Sequence, residues 1–95
     1  MWILRSNDAS HPVALRLLPG AAKTVGRATA ANFDIDATLV SRLHCRLSAS
    51  STELIVEDLG STNGTYVNER RVQKAALRAG DHLRLGDVVL SVARE

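Results

Sequence analysis

No apolar run in this chain lasts long. "WILR" gives way to the turn-rich "SNDASHP", and "VALRLL" is stopped by "PG". "KTV" ends at Gly26, "FDI" ends before "DAT", and "CRLSAS" and "ELIVEDL" flank the polar pair Ser51–Thr52. "TYV" and "RRV" flank Asn68–Arg70, and "HLRL" and "VVLSVA" flank Gly86–Asp87. Segments this short cannot be stable helices on their own. Where they are long enough to show a period, it is two: Leu15 and Leu17 oppose Ala14, Arg16 and Leu18. Leu83 and Leu85 oppose His82 and Arg84, and Phe33 and Ile35 oppose Asp34. Period two over short segments means strands, and about ten of them at this spacing mean a sandwich or barrel. One stretch, "QKAALRAG", has helix-forming residues but is too short for a stable helix, and it reads as a loop or a single turn.

Ninety-five residues make a single domain over 1–95, with 45% hydrophobic residues for one core and only 3% aromatics, so the core must be aliphatic. A domain of this size buries about two-thirds of its unfolded surface, which implies modest stability. A formal net charge of +2, no Lys/Arg run and no aromatic platform interleaved with basic residues argue against nucleic-acid binding. A lone cysteine, Cys45, cannot close an internal disulfide and fits a reducing compartment. No stretch approaches the roughly 20 apolar residues that cross a bilayer, and the N-terminus lacks the apolar stretch of a signal peptide. The expectation is an intracellular, cytoplasmic domain, with neighbouring domains possible in a longer protein.

Three polar clusters interrupt the aliphatic pattern: Gly26–Arg27, "SRLHC" from Ser41 to Cys45, and "GSTNGT" from Gly60 to Thr65. Ser41 and His44 suggest a nucleophile and base, but no G-x-S-x-G elbow surrounds Ser41, and a histidine bonded to a loop backbone is the commoner arrangement. His11, His44, Cys45 and His82 lack zinc-ligand spacing, and no Lys-Ser/Thr pair follows the glycines of the third cluster as in a P-loop. No metal, cofactor or catalytic residue is expected.

Together the clusters ask for one ligand chemistry. Arg27 and Arg42 carry guanidinium forks that match phosphate oxygens bidentately. Ser41, Ser61, Thr62 and Thr65 offer hydroxyl donors, and Asn63 can both donate and accept, which suits a peptide backbone. Glycines open backbone N–H groups to an anion. A phosphorylated side chain, with a charge near −1.5 to −2 and three acceptor oxygens, complements this set.

The order of these elements resembles that of a forkhead-associated (FHA) domain over nearly the whole chain. The matching stretches are "VGR" at Val25–Arg27, "FDIDATLVSRLHC" leading into a Ser-Arg-x-His motif, "DLGSTNGTYVN" with its Ser-x-Asn-Gly-Thr loop, and "AGDHLRLG" before the last two strands. The resemblance implies an all-β, FHA/SMAD-like sandwich of two twisted antiparallel sheets, about eleven short strands. It implies that loops at one end grip an extended peptide carrying phosphothreonine. An up-and-down strand count would send consecutive loops to alternate ends, so their gathering rests on the resemblance alone.

By the same resemblance Arg27 and Ser41 would contact the phosphate, Thr62 would help hold the phosphothreonine, and Arg42 would contact peptide or phosphate. Asn63 would bond the peptide backbone, while Gly26, His44 and Gly64 would shape the loops. The implied partner is a phosphothreonine-containing protein, in trans or on the same chain, with a Ser/Thr kinase upstream and neither nucleic acid nor membrane. The family's preference for threonine over serine comes from one pocketed methyl, worth about 0.8 kcal/mol by area, a few-fold in affinity. The alternative is a phospho-independent scaffold of the same fold, used for intramolecular docking or oligomerisation. One departure stands out. After "TYVN" the family often has Gly, where an Asn-Gly turn needs positive φ at both centres. Glu69 is disfavoured there, so a different turn type is expected between Val67 and Arg71.

Overall fold

A computed structural model describes residues 1–6 and 12–95, and the described residues form eleven strands and no helix. They are β1 (Trp2–Ser6), β2 (Ala14–Leu17), β3 (Ala22–Gly26), β4 (Phe33–Asp34), β5 (Cys45–Ala49) and β6 (Leu54–Asp58), followed by β7 (Thr65–Val67), β8 (Arg70–Val72), β9 (Lys74–Leu77), β10 (His82–Leu85) and β11 (Val88–Arg94). They form a six-stranded sheet in the order β2-β1-β11-β10-β7-β8 and a five-stranded sheet in the order β4-β3-β5-β6-β9. The two sheets enclose one core, as the alternation requires. Leu15 and Leu17 face inward while Ala14 and Arg16 face out, and Leu83 and Leu85 are buried between exposed or half-buried His82 and Arg84. Leu4, Leu47, Leu54 and Leu90 fill the centre, and Trp2 caps one margin with its indole N–H donating to the Ser50 carbonyl at 3.1 Å. No helix among the described residues is long and apolar enough to cross a membrane.

Two local expectations are corrected. The stretch "QKAALRAG" is not a loop or helical turn: Lys74–Leu77 is strand β9, paired antiparallel with β6 from Leu54↔Leu77 to Glu57↔Lys74. Ala75 and Leu77 turn to the core while Lys74 and Ala76 turn out, so cross-strand pairing outvotes the local helix propensity of alanine. The β7–β8 turn also differs from expectation. Asn68 and Glu69 both take positive φ, +50° and +68°, which is the two-residue turn that normally wants glycine second. Side chains hold it in place. Asn68 Oδ1 accepts from the His82 amide at 2.9 Å, and Nδ2 donates to Asp81 at 3.1 Å. Glu69 accepts both Nε–H (3.0 and 3.1 Å) and Nη2–H (2.9 Å) of Arg84, whose guanidinium stacks 3.9 Å above the Tyr66 ring. The left-handed conformation costs on the order of 1–2 kcal/mol for a residue with a Cβ. This fork, partly shielded by the ring, offsets some of that cost.

The gathering of loops at one end has a topological cause. Every paired strand is antiparallel to its neighbour except β4, which runs parallel to β3 (Val25↔Phe33, Gly26↔Asp34). The six residues 27–32 double back only far enough to overlap two pairs, and the Asn32 carboxamide fixes the return by accepting from the Thr24 amide (2.9 Å) and hydroxyl (3.1 Å). Because β4 repeats the direction of β3, the parity of the strand count shifts by one. The β3–β4, β4–β5 and β6–β7 loops therefore emerge at the same end, beside the β10–β11 turn.

Candidate functional site

Asp58, at the end of β6, organises the third polar cluster from inside. Its Oδ2 accepts from the Gly60 and Ser61 amides, both at 3.0 Å. Its Oδ1 accepts from the hydroxyls of Ser61 (2.5 Å) and Thr65 (2.7 Å). The Ser61 Oγ in turn accepts from the Gly64 amide at 3.0 Å. Burial pushes the Asp58 carboxyl up, but these hydrogen bonds outweigh it and hold the group below the ordinary carboxylate range. Ser61 and Thr65, read from the sequence as possible ligand donors, are buried and spend their hydroxyls on Asp58. Asp58 was not singled out as an organiser. The signal available was an acid followed at three and seven residues by hydroxyls.

His44 ties the second cluster to the third. It is fully buried, and Nδ1 accepts from the Ser41 amide at 3.0 Å. That fixes the neutral tautomer with the proton on Nε2, which donates to the Gly64 carbonyl at 2.9 Å. Both ring nitrogens are used by backbone, so none is left to take a proton from the Ser41 hydroxyl. The ring is thus bonded to loop backbone on both sides, at Ser41 and at Gly64. Burial lowers the His44 pKa, against smaller upward influences from the Gly64 carbonyl and the Asp58 charge. The sign of the consequence follows. The unfolded chain binds a proton on this imidazole near pH 6.5 and the folded chain does not, so His44's contribution is present above pH 6.5 and lost below it. The Asp58 contribution is lost only below its unfolded value, near pH 4. Melting temperature should therefore be level from pH 8 to 7 and fall as the pH drops below about 6.5. The same scan on His44→Gln checks this, because the variant should lack that step. Cys45, beside His44, is fully buried, and burial followed by the Asp58 charge pushes its thiol up to about 12, so it stays protonated.

Gly26 is required by close approach. A Cβ there would lie 2.0 Å from the Arg42 carbonyl oxygen and 2.7 Å from its carbon. That is backbone, which cannot swing aside. The two loops are zipped at this point by Arg27 N–H to Ser41 O (2.9 Å), Ala28 N–H to Arg42 O (3.1 Å) and His44 N–H to Val25 O (2.8 Å). Gly26→Ala should cost about 3 kcal/mol, at the upper end of overpacking penalties, and lower the melting temperature by on the order of 10 °C or more. Thermal denaturation followed by circular dichroism reads it directly.

On this frame stand the side chains picked out from the sequence. Arg27 donates Nε–H to the Val40 carbonyl at 3.1 Å, which leaves the two terminal nitrogens of its fork without partners among the described residues. Arg42 is exposed with no partner of its own among them, and the two arginines line an open cavity of about 240 Å³ together with Ala28, Thr29 and Ala30. Ser41 Oγ accepts from the Thr62 amide at 3.0 Å, so its own proton is free to donate outward and is polarised to do so. The Thr62 hydroxyl likewise has no partner among the described residues. Asn63 donates Nδ2–H to the Leu39 carbonyl at 3.0 Å and keeps its Oδ1 and second N–H available. The structure thus brings Arg27, Ser41, Arg42, Thr62 and Asn63 to one end of the sandwich, with Gly26, His44 and Gly64 beneath them.

From three separate loops this all-β sandwich presents two guanidinium ends and two hydroxyls that have no partner among the described residues, on a prebonded backbone. The comparisons name the family. The family model of the FHA domain matches residues 23–86, and the chain belongs to that family. The glycogen accumulation regulator GarA of Mycobacterium tuberculosis is 39% identical over 70 residues, covering 74% of this chain and 43% of that protein. The FHA domain-containing protein FhaA of the same organism is 37% identical over 88 residues, 83% of this chain and 17% of that protein. The chain thus spans less than half the length of either relative.

Among solved structures, an FHA domain from a structural and functional study of phosphothreonine-dependent FHA domain interactions superposes with a TM-score of 0.89 at 34% identity, covering 99% of this chain and 96% of the other. The FhaA FHA domain, solved in complex with the intracellular domain of another protein, superposes with a TM-score of 0.87 at 35% identity, covering 97% and 99%.

Proposed function

We propose that this chain is a phosphothreonine-dependent binding module for proteins or peptides in Ser/Thr kinase signalling, acting by recognition and not by catalysis. The observation that carries the reading is the division of labour at the loop end. One set of groups (Asp58, Ser61, Thr65, His44) is consumed in building the loops, and a second set (Arg27, Ser41, Arg42, Thr62) keeps donors that have no partner among the described residues. Arg27 and Ser41 take the phosphate, Thr62 braces the phosphothreonine, and Arg42 adds charge to phosphate or peptide. Asn63, already anchored to Leu39, offers Oδ1 and one N–H to the peptide backbone. A few charge-assisted hydrogen bonds at about 1.5–3 kcal/mol each, less the cost of association, support affinity on the order of micromolar.

Residues 1–95 act in this reading as one module, inside the cell, on a partner phosphorylated by an upstream kinase, in trans or on the same chain. The thiol of Cys45, buried and protonated, is consistent with that compartment. The test is amide chemical-shift mapping with a phosphothreonine peptide and its unmodified twin. The phosphorylated peptide should shift amides in 26–28, 41–44 and 61–64 and the unmodified one should not. Equal shifts from both, on a sheet face, would instead favour the phospho-independent scaffold.

A further inference from the structure

Gly64 does more than permit a turn. It sits at φ +90°, and a Cβ built there would meet Arg71 Nε at 3.0 Å, Arg71 Cζ at 3.2 Å and Tyr66 Cε1 at 3.0 Å. The missing side chain is therefore the space in which the Arg71 guanidinium lies against the β6–β7 loop, one residue from Asn63. Arg71 comes from β8, directly opposite Tyr66 of β7, which is in turn opposite Arg84 of β10. Two arginines thus flank one tyrosine, but their charges differ in status. Arg84 is saturated by Glu69, by the Gly86 carbonyl and by the Tyr66 ring. The Arg71 side chain is exposed and makes no hydrogen bond or ion pair among the described residues. The nearest acid on its own hairpin, Glu69, is already committed to Arg84. An uncompensated, partly immobilised guanidinium therefore borders the recognition loop on the β8 side, beyond Asn63.

We propose that Arg71 is a specificity-determining residue that receives an acidic side chain of the bound phosphopeptide, on whichever flank of the phosphothreonine runs past Asn63 and Gly64. The inference rests on the phosphopeptide reading of the site. It assigns partner chemistry that Arg27 and Ser41 do not: a phosphothreonine with Asp, Glu or a second phosphorylated residue at one fixed distance. Seating against the Gly64 backbone limits the rotamer freedom that usually erases exposed ion pairs, so a gain of about threefold to tenfold is expected from one such pair.

A phosphothreonine peptide with alanine flanks, scanned by single Ala→Glu replacements, provides the test. One flanking position should bind the parent domain about threefold to tenfold more tightly than the all-alanine peptide. That ratio should collapse to near one in Arg71→Gln. In Arg71→Glu it should reverse, so that Lys at the same position is preferred. Circular dichroism confirms that each variant is folded, and the charge reversal cannot be produced by a loss of structure. No favoured position, or a ratio that survives Arg71→Gln, overturns the assignment while leaving the phosphopeptide reading intact. Failure of every phosphothreonine peptide to bind the parent, at concentrations where micromolar affinity would show, overturns both.

Discussion

Arg27→Ala is expected to weaken phosphothreonine-peptide binding by about a hundredfold or more while the domain stays folded. The side chain would give two or more N–H groups of its terminal fork to phosphate oxygens, each charge-assisted bond worth about 1.5–3 kcal/mol. Losing about 3 kcal/mol takes a micromolar complex to a dissociation constant on the order of 100 μM. The folded state loses far less. The one hydrogen bond of the side chain among the described residues, Nε to the Val40 carbonyl, contributes about 1 kcal/mol, a shift of roughly 4–8 °C in melting temperature. Arg27→Lys separates charge from geometry. An ammonium cannot hold Val40 and still present a fork, so most of the loss should persist. Fluorescence anisotropy and a thermal melt on each variant suffice, and parent-like affinity in Arg27→Ala would remove Arg27 from the site.

The largest effect on stability belongs to a residue that touches no ligand. In Asp58→Ala, the Gly60 and Ser61 amides and the Ser61 and Thr65 hydroxyls lose their shared acceptor at once. At least three of these bonds are buried, and a buried donor left without a partner costs about 1–3 kcal/mol. The sum, about 3–9 kcal/mol, is a large part of the 5–15 kcal/mol that holds an ordinary domain together. A drop in melting temperature on the order of 20 °C, or failure to fold at 37 °C, is expected. Asp58→Asn, which keeps one acceptor oxygen, should fall in between. A variant within a few degrees of the parent would mean that water replaces the carboxylate without cost, and that the loop is not organised from Asp58.

How much of this was legible beforehand depended on where the information sits. Alternation at Leu15–Leu17 and Leu83–Leu85 announced inward faces because burial of one sheet face is written into every second residue. The outward site residues were legible as chemistry: arginine forks, hydroxyls and a carboxamide have few reasons to cluster between aliphatic strands. What escaped notice was non-local. The parallel β4 depends on two residue pairs and the Asn32 clasp, and it places the β3–β4 and β4–β5 loops at the end where antiparallel β5 and β6 already put the β6–β7 loop. The β9 assignment depends on β6 lying alongside. The Asn68–Glu69 turn violates a sound local preference because Arg84 and Tyr66, from other strands, hold Glu69. Ser61 and Thr65 offer hydroxyls in sequence just as Thr62 does, and only their burial and their bonds to Asp58 set them apart.

Fluorescence anisotropy against one peptide library in three matched forms, with phosphothreonine, phosphoserine and unmodified threonine, tests the central claim most directly. The account predicts saturable binding at about micromolar concentration to the phosphothreonine form, weaker binding to phosphoserine by a few-fold or more, and none to threonine. Equal binding to all three forms, or binding to none, would contradict it. The free donors of Arg27, Ser41, Arg42 and Thr62 would then have no ligand to explain them.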